Sequence, residues 1–310
     1  MAGAGLTLAT LAADQREAAL RGRRVLIVGG TAGLGKALAI ACLKRGAHVT
    51  VVGRRDPGRE LAGAAFVRRD LSLMTNALTV TDEVDVPTLD TVVFTTGIFA
   101  GPNRQASGEG VELDLAVSYL SRLVIARQLL EKGFGTRREA PVAGKPRIFV
   151  MGFPGQKLEP QLDDFNWETK PYSAIPVHMN TVVANEALVT YLSAAFKGEV
   201  NVYGLNPGLI RTEIRDNFLG KGSWKSRLIE PLIGFFNWSA DQYAEQSLVH
   251  IVTSPELETL PGALINSKRR LLEPNPHLAK QETIDRIVTE STKLVDKALA
   301  AATAQPAASA

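Results

Sequence analysis

The chain has 310 residues, 45% apolar and 22% charged, with a formal charge of +3 and a pI near 9.0. That profile suits a globular chain of one undivided α/β domain, and so mild a charge, with no basic stripe interleaved with aromatics, excludes nucleic acid as an implied partner. Cys42 stands alone beside four histidines, which excludes an internal disulfide framework, leaves no ligand spacing for zinc and fits a reducing, cytoplasmic compartment.

Taken in order, Met1 to Ala13 is small and apolar but lacks the basic start of a signal peptide, and Asp14, Arg16 and Glu17 interrupt it. A short leading helix within residues 1–23 is expected, and no apolar run predicts a transmembrane segment. From residue 24 short β-branched runs alternate with longer helical stretches. Strands are predicted at Arg24–Val28, His48–Val52, Ala65–Val67, Thr91–Thr95, Arg147–Met151, Glu199–Leu205 and Ala263–Ile265. Helices are predicted at Gly35–Arg45, Glu112–Lys132, Val177–Lys197 and Asp241–Thr253. Gly133–Pro146 is a surface connection, whereas Pro154–Pro176 is long enough to be either functional or disordered. Residues 276–310 carry a final helix and an alanine-rich tail that frays into disorder. The alternation predicts a Rossmann-type α/β fold over residues 24–275: a doubly wound parallel sheet of about seven strands with helices on both faces.

The first strand runs straight into Gly29-Gly30-Thr31-Ala32-Gly33-Leu34-Gly35, and an amphipathic helix follows. Glycines there let the backbone turn sharply and let a pyrophosphate approach the amides of a helix N-terminus. Gly29, Thr31, Gly33, Leu34 and Gly35 are therefore candidate dinucleotide-binding residues. At the end of the second strand an acidic residue would accept from the ribose of NAD, but this chain has Gly53-Arg54-Arg55. Guanidinium groups pair with phosphate, so Arg54 and Arg55 favour NADP(H) over NAD(H), with Asp56 beside them working against that field.

These and later landmarks resemble the short-chain dehydrogenase/reductase superfamily over residues 24 to 270. The family's TGxxxGxG loop is matched at Gly29, Gly33 and Gly35, with Val28 in place of the threonine. Arg69-Asp70-Leu71-Ser72 resembles the segment whose Asp, here Asp70 beside Leu71, contacts adenine. Phe94-Thr95-Thr96-Gly97 is similar to the NNAG turn, keeping Gly97 and placing Thr96 before it. Pro207, Gly208, Leu209 and Thr212 match the PGxxxT segment at the carboxamide end of the cofactor. Ala184-Asn185 and Gly262-Ala263-Leu264 look most like the retinol-dehydrogenase-like branch. The resemblance implies an NADP(H)-dependent oxidoreductase acting on an apolar small-molecule carbonyl or alcohol. It also implies a substrate lid at about 213–240, where Phe218, Trp224, Phe235 and Trp238 gather, and a possible homodimer through the long helices.

The family's catalytic tetrad is where the match breaks. The strand Arg147–Met151 ends in Gly152-Phe153-Pro154-Gly155, without the usual serine. In the register set by Ala184-Asn185, His178 stands at the tyrosine position, Val182 at the lysine and Ser118 at the helix asparagine. A second register makes Tyr172 the acid, but it puts Pro176 at the lysine, where proline would break the helix. His178 is either a proton donor or a packing or capping residue, and Ser118 either holds a water or faces its own helix backbone. Loss of all four positions leaves two other readings open: an inactive dinucleotide-binding sensor or scaffold, and a fold reused for non-redox cyclisation or isomerisation.

Overall fold

The computed structural model describes residues 5–99, 101–139, 144–208 and 238–304. Seven strands form a single parallel sheet: β1 Arg24–Val28, β2 His48–Gly53, β3 Ala65–Arg68, β4 Thr91–Phe94, β5 Arg147–Met151, β6 Asn201–Asn206 and β7 Leu264–Asn266. Their order is β3-β2-β1-β4-β5-β6-β7, so the winding reverses between β1 and β4. Every β5 residue is buried, and of β1 only Arg24 is partly open, which is why these strands read as continuous apolar runs.

Strand alternation splits the core into two layers. Leu26, Val28, Val92, Phe94, Ile148 and Val150 face one side, where they meet α3 (Met74–Leu78), α5 (Ser121–Glu131), α6 (Ala174–Ala195) and α9 (Gln281–Ala304). Val25, Ile27, Val51, Val93, Phe149 and Tyr203 face the other, against α1 (Ala13–Leu20), α2 (Gly33–Leu43) and α8 (Val249–Thr253). Val28 lies level with both Val52 and Phe94, and Phe94 with Val150. The loops after β1, β2, β4 and β5 therefore leave the sheet along one edge, and the functional site gathers there.

The helices depart from expectation in places. The expected leading helix is Ala13–Leu20; residues 5–12, described before it, are not helical: Thr7 bridges Arg270, and the Leu8 amide donates to the Arg269 carbonyl, which buries Leu8 against the sheet. The predicted 112–132 helix is interrupted. A short α4 (Leu113–Leu115) passes through a π-helical turn, Ala116–Leu120, before α5. A second π turn, Ala244–Leu248, likewise divides α7 (Ala240–Tyr243) from α8. The sixth helix starts at Ala174, so Pro176 sits in its first turn and breaks nothing, because the amide it lacks has no helical partner there. The long Pro154–Pro176 connection is ordered. Asp164 accepts from the amides of Glu168, Thr169 and Lys170, and Phe165 packs edge-on against Tyr119. The last helix persists to Ala304, and the tail expected beyond it lies outside the described residues. Among the described residues no helix is long and apolar enough to cross a membrane.

Candidate active site

The glycine loop is closed by backbone packing. A Cβ at Gly35 would lie 2.4 Å from the Gly29 carbonyl oxygen, and one at Gly29, whose φ is +93°, 2.6 Å from the Thr96 amide nitrogen. Only glycine permits that approach. Thr31 turns its hydroxyl toward Gly53, which could not carry a Cβ there either. Helix α2 opens at Gly33 with Ala32 as an N-cap that offers no side-chain acceptor, so the first-turn amides of Gly33, Leu34 and Gly35 keep their donors. The Thr96 hydroxyl beside the loop is buried and has no partner among the described residues. Open amides at a helix N-terminus and an orphaned hydroxyl fit the phosphate and ribose groups of a dinucleotide.

Arg54 and Arg55 are exposed just past β2. The neighbouring Asp56 does not turn to them; its Oδ1 accepts from the Gly58 amide at 2.7 Å. Asp70 holds the amide and hydroxyl of Ser72, while Leu71 is buried in the core and offers only its backbone. Gly208, with φ +70°, donates its amide to Asn206, and Pro207 precedes it half-buried. Leu209 and Thr212 lie outside the described residues, as does most of the expected lid.

At the catalytic end three residues form one chain of contacts. His178 Nδ1 lies 2.8 Å from Asp114 Oδ2, and Ser118 Oγ donates to Asp114 Oδ1 at 2.5 Å. Ser118 also accepts from the Ile98 amide at 3.1 Å, so it neither faces its own backbone nor stands free for water. The Phe99 ring stacks on His178 at 4.1 Å between centroids. Asp114 is 1% exposed in its side chain and His178 23%, so the carboxylate is sealed while the imidazole is partly exposed. Because Gly29 packs on Thr96 and Gly97 leads to Ile98, the dinucleotide loop and the His178–Asp114 pair share one supporting turn. Asp114 does not stand out in the sequence. The signal available is a carboxylate four residues before Ser118 at the start of an apolar helix.

Tyr172 is brought to the same corner but engaged differently. Its hydroxyl donates to Glu112 Oε1 at 3.0 Å, and the other Glu112 oxygen caps α4 by accepting from the Leu115 amide. Glu112 is fully buried, which raises its proton affinity, with the Asp114 charge adding to the rise. Burial and then the Glu112 charge push the Tyr172 phenol upward as well. A phenol so held keeps its proton and is a poor acid–base group.

The absent serine has a steric cause. A Cβ at Gly152 would fall 2.5 Å from the Asn185 Cβ. Next to it Phe153 takes a left-handed φ of 57°, a strain of about 1–3 kcal/mol for a residue with a side chain. Asn185 itself is committed, donating to the Ser118 and Thr181 carbonyls and accepting from Arg122. Arg122, another residue that the sequence does not single out, is 2% exposed and donates to the carbonyls of Met151 and Thr96. Burial pushes its guanidinium down to about 9, opposed by the Asp114 charge. Val182 is buried, and Lys157 pairs at the surface with Glu273, so neither does the work of the family's lysine.

No family model matches the chain. It is 39% identical over 279 residues to an uncharacterized oxidoreductase of Saccharomyces cerevisiae, covering 89% of this chain and 88% of that one. It is 24% identical to retinol dehydrogenase 13 of Mus musculus, over 92% of this chain and 87% of that protein. A short-chain dehydrogenase/reductase from Serratia marcescens shares the fold with a TM-score of 0.56 at 16% identity, over 80% of this chain and 96% of that one.

Proposed function

Since the chain belongs to the short-chain dehydrogenase/reductase superfamily, in its retinol-dehydrogenase-like branch, we propose that it is an NADP(H)-dependent oxidoreductase of apolar carbonyls and alcohols that uses His178 in place of the family tyrosine. The observation that carries this reading is the buried Asp114 carboxylate 2.8 Å from His178 Nδ1, linked through Ser118 to the turn beside the glycine loop. Held at Nδ1, the imidazole works through Nε2. A nicotinamide dinucleotide bound at the loop supplies or takes the hydride.

In the reducing direction Nε2–H of the imidazolium gives its proton to the carbonyl oxygen, leaving a neutral ring whose Nδ1–H stays on Asp114. In the oxidising direction the neutral Nε2 takes the alcohol proton. Asp114 stabilises the charged ring in both cases without exchanging its own proton. Ser118 fixes Asp114, and the Phe99 stack holds the ring plane. Arg122 places a fixed positive charge beneath Gly97, 3.9 Å from where a Cβ there would be. The preference for NADP(H) rests on Arg54 and Arg55, exposed with Asp56 turned away.

The test is loss of NADPH absorbance on mixing the protein with a panel of apolar aldehydes and ketones, with the alcohol product quantified. Equal amounts of NADPH consumed and alcohol formed support the reading. Tight NADPH binding with no turnover points instead to a dinucleotide-binding protein without catalysis, and product formed without NADPH loss to a non-redox isomerisation or cyclisation.

A further inference from the structure

We propose that the chain carries a second ligand site, a pocket for the phosphate group of a small phosphomonoester, between α1, α8 and the turn after β7. The cleft there has a volume of about 660 Å³, and Arg16, Trp238, Glu245, His250, Lys268 and Arg269 line it. None of these residues belongs to the glycine loop or to the His178 site.

Hydrogen-bond donors outnumber acceptors in this cleft. His250 Nδ1 accepts from the Leu11 amide at 3.0 Å, so a neutral ring carries its proton on Nε2. Burial, and then the charges of Arg16, Arg269 and Arg45, push this imidazole down to about 4, which keeps it neutral near pH 7. Its Nε2 lies 2.8 Å from Nη1 of Arg16, which also bears only hydrogens. Two donors face each other there, with no acceptor for them among the described residues. The Arg16 Nε is buried and bonds nothing among the described residues. Lys268 has no carboxylate partner among the described residues for its ammonium group.

The one carboxylate in the lining among the described residues, Glu245, is already paired. Both Glu245 oxygens are taken by Arg45, at 3.1 and 2.5 Å. Arg269 is pinned by donation to the Leu8 and Gln246 carbonyls and to the Thr10 hydroxyl, all neutral groups, and no carboxylate among the described residues pairs with it. Three cations, Arg16, Lys268 and Arg269, thus line one open cleft, and the Arg16 and His250 side chains keep donors unmatched among the described residues. A phosphate monoester brings close to two negative charges and three acceptor oxygens, a better match than the single charge of a carboxylate. Trp238 supplies a flat apolar wall for the organic part of the molecule.

Phenyl phosphate is the probe, titrated by calorimetry at fixed ionic strength, with phenylacetate as the carboxylate control. One saturable site is expected, weakened about tenfold or more by Arg16→Gln and by Lys268→Gln, and unchanged by Arg54→Ala/Arg55→Ala. Lys268 is exposed, so that variant keeps the fold even if Arg16→Gln does not. The proposal is overturned by the absence of saturable binding up to about 10 mM. It is equally overturned if Lys268→Gln binds as the wild type does, if phenylacetate binds as tightly, or if only the Arg54/Arg55 variant loses binding, which would place the phosphate at the dinucleotide loop.

Discussion

Asp114→Asn removes a charge while keeping shape and volume, and its effect can be worked out from the contacts of the carboxylate. Asp114 receives two donors, the His178 Nδ1–H at 2.8 Å and the Ser118 hydroxyl at 2.5 Å. Asparagine has one acceptor oxygen and an NH2 group with two donors, so it cannot serve two donors that now take separate oxygens. If Ser118 keeps the oxygen, His178 Nδ1 meets an N–H and must become the acceptor, which moves the ring proton to Nε2. The imidazolium also loses its anionic partner. A hydrogen bond to a charged group contributes about 1.5–3 kcal/mol, which corresponds to roughly 10- to 150-fold in turnover. NADPH affinity should stay within about twofold, because Asp114 bonds no residue of the glycine loop and Ser118 keeps its contact with the Ile98 amide. Steady-state NADPH oxidation gives the turnover arm, and nitrogen-15 side-chain spectra of His178 read the tautomer directly. Turnover within about twofold of wild type, together with an Nδ1–H signal that persists in Asp114→Asn, would mean that Asp114 governs neither the charge nor the tautomer of the ring.

Tyr172→Phe removes the hydroxyl that donates to buried Glu112, so it should cost about 1–3 kcal/mol in urea unfolding yet leave NADPH oxidation within about threefold; a loss of turnover like that of a His178 variant would make Tyr172 the acid instead. Arg54→Ala/Arg55→Ala should raise the NADPH dissociation constant by about tenfold or more while NADH binding stays put, measured by nicotinamide fluorescence, since only NADPH has the 2′-phosphate. His250 has its folded-state pKa depressed from 6.5 to about 4, so the unfolded chain binds the extra proton first. Its contribution is present above 6.5 and is lost as pH falls toward 4, so thermal midpoints should decline across that window, and His250→Gln should flatten this part of the profile.

The parts of the molecule legible in the sequence are those specified by neighbours in the chain. The apolar runs at Arg24–Val28 and Arg147–Met151 are buried strands, and the glycine loop between β1 and α2 has the backbone approach its spacing implies. Strand ends shift by a residue or two because hydrogen bonding to the next strand, not composition, decides where pairing stops. The candidate site is half legible. His178 and Ser118 come from register, but the residue that joins them, Asp114, is 64 positions from His178 and sits in a stretch that reads as an ordinary apolar helix. Arg122 is hidden for the same reason: with Arg127 and Glu131 in the same helix it reads as part of a solvated face, and the carbonyls of Thr96 and Met151 and the Asn185 side chain explain its burial. Pro176 misleads because composition places the helix start too late; one turn earlier, the same proline is compatible with its position.

Whether His178 moves the proton is decided by the split between binding and turnover in His178→Ala. With the aldehyde or ketone that wild type reduces fastest, the variant should bind NADPH with unchanged affinity and turn over at least about 100-fold more slowly, a loss within the range that general acid catalysis supplies. A variant that reduces the same substrate at the wild-type rate would show that another group supplies the proton.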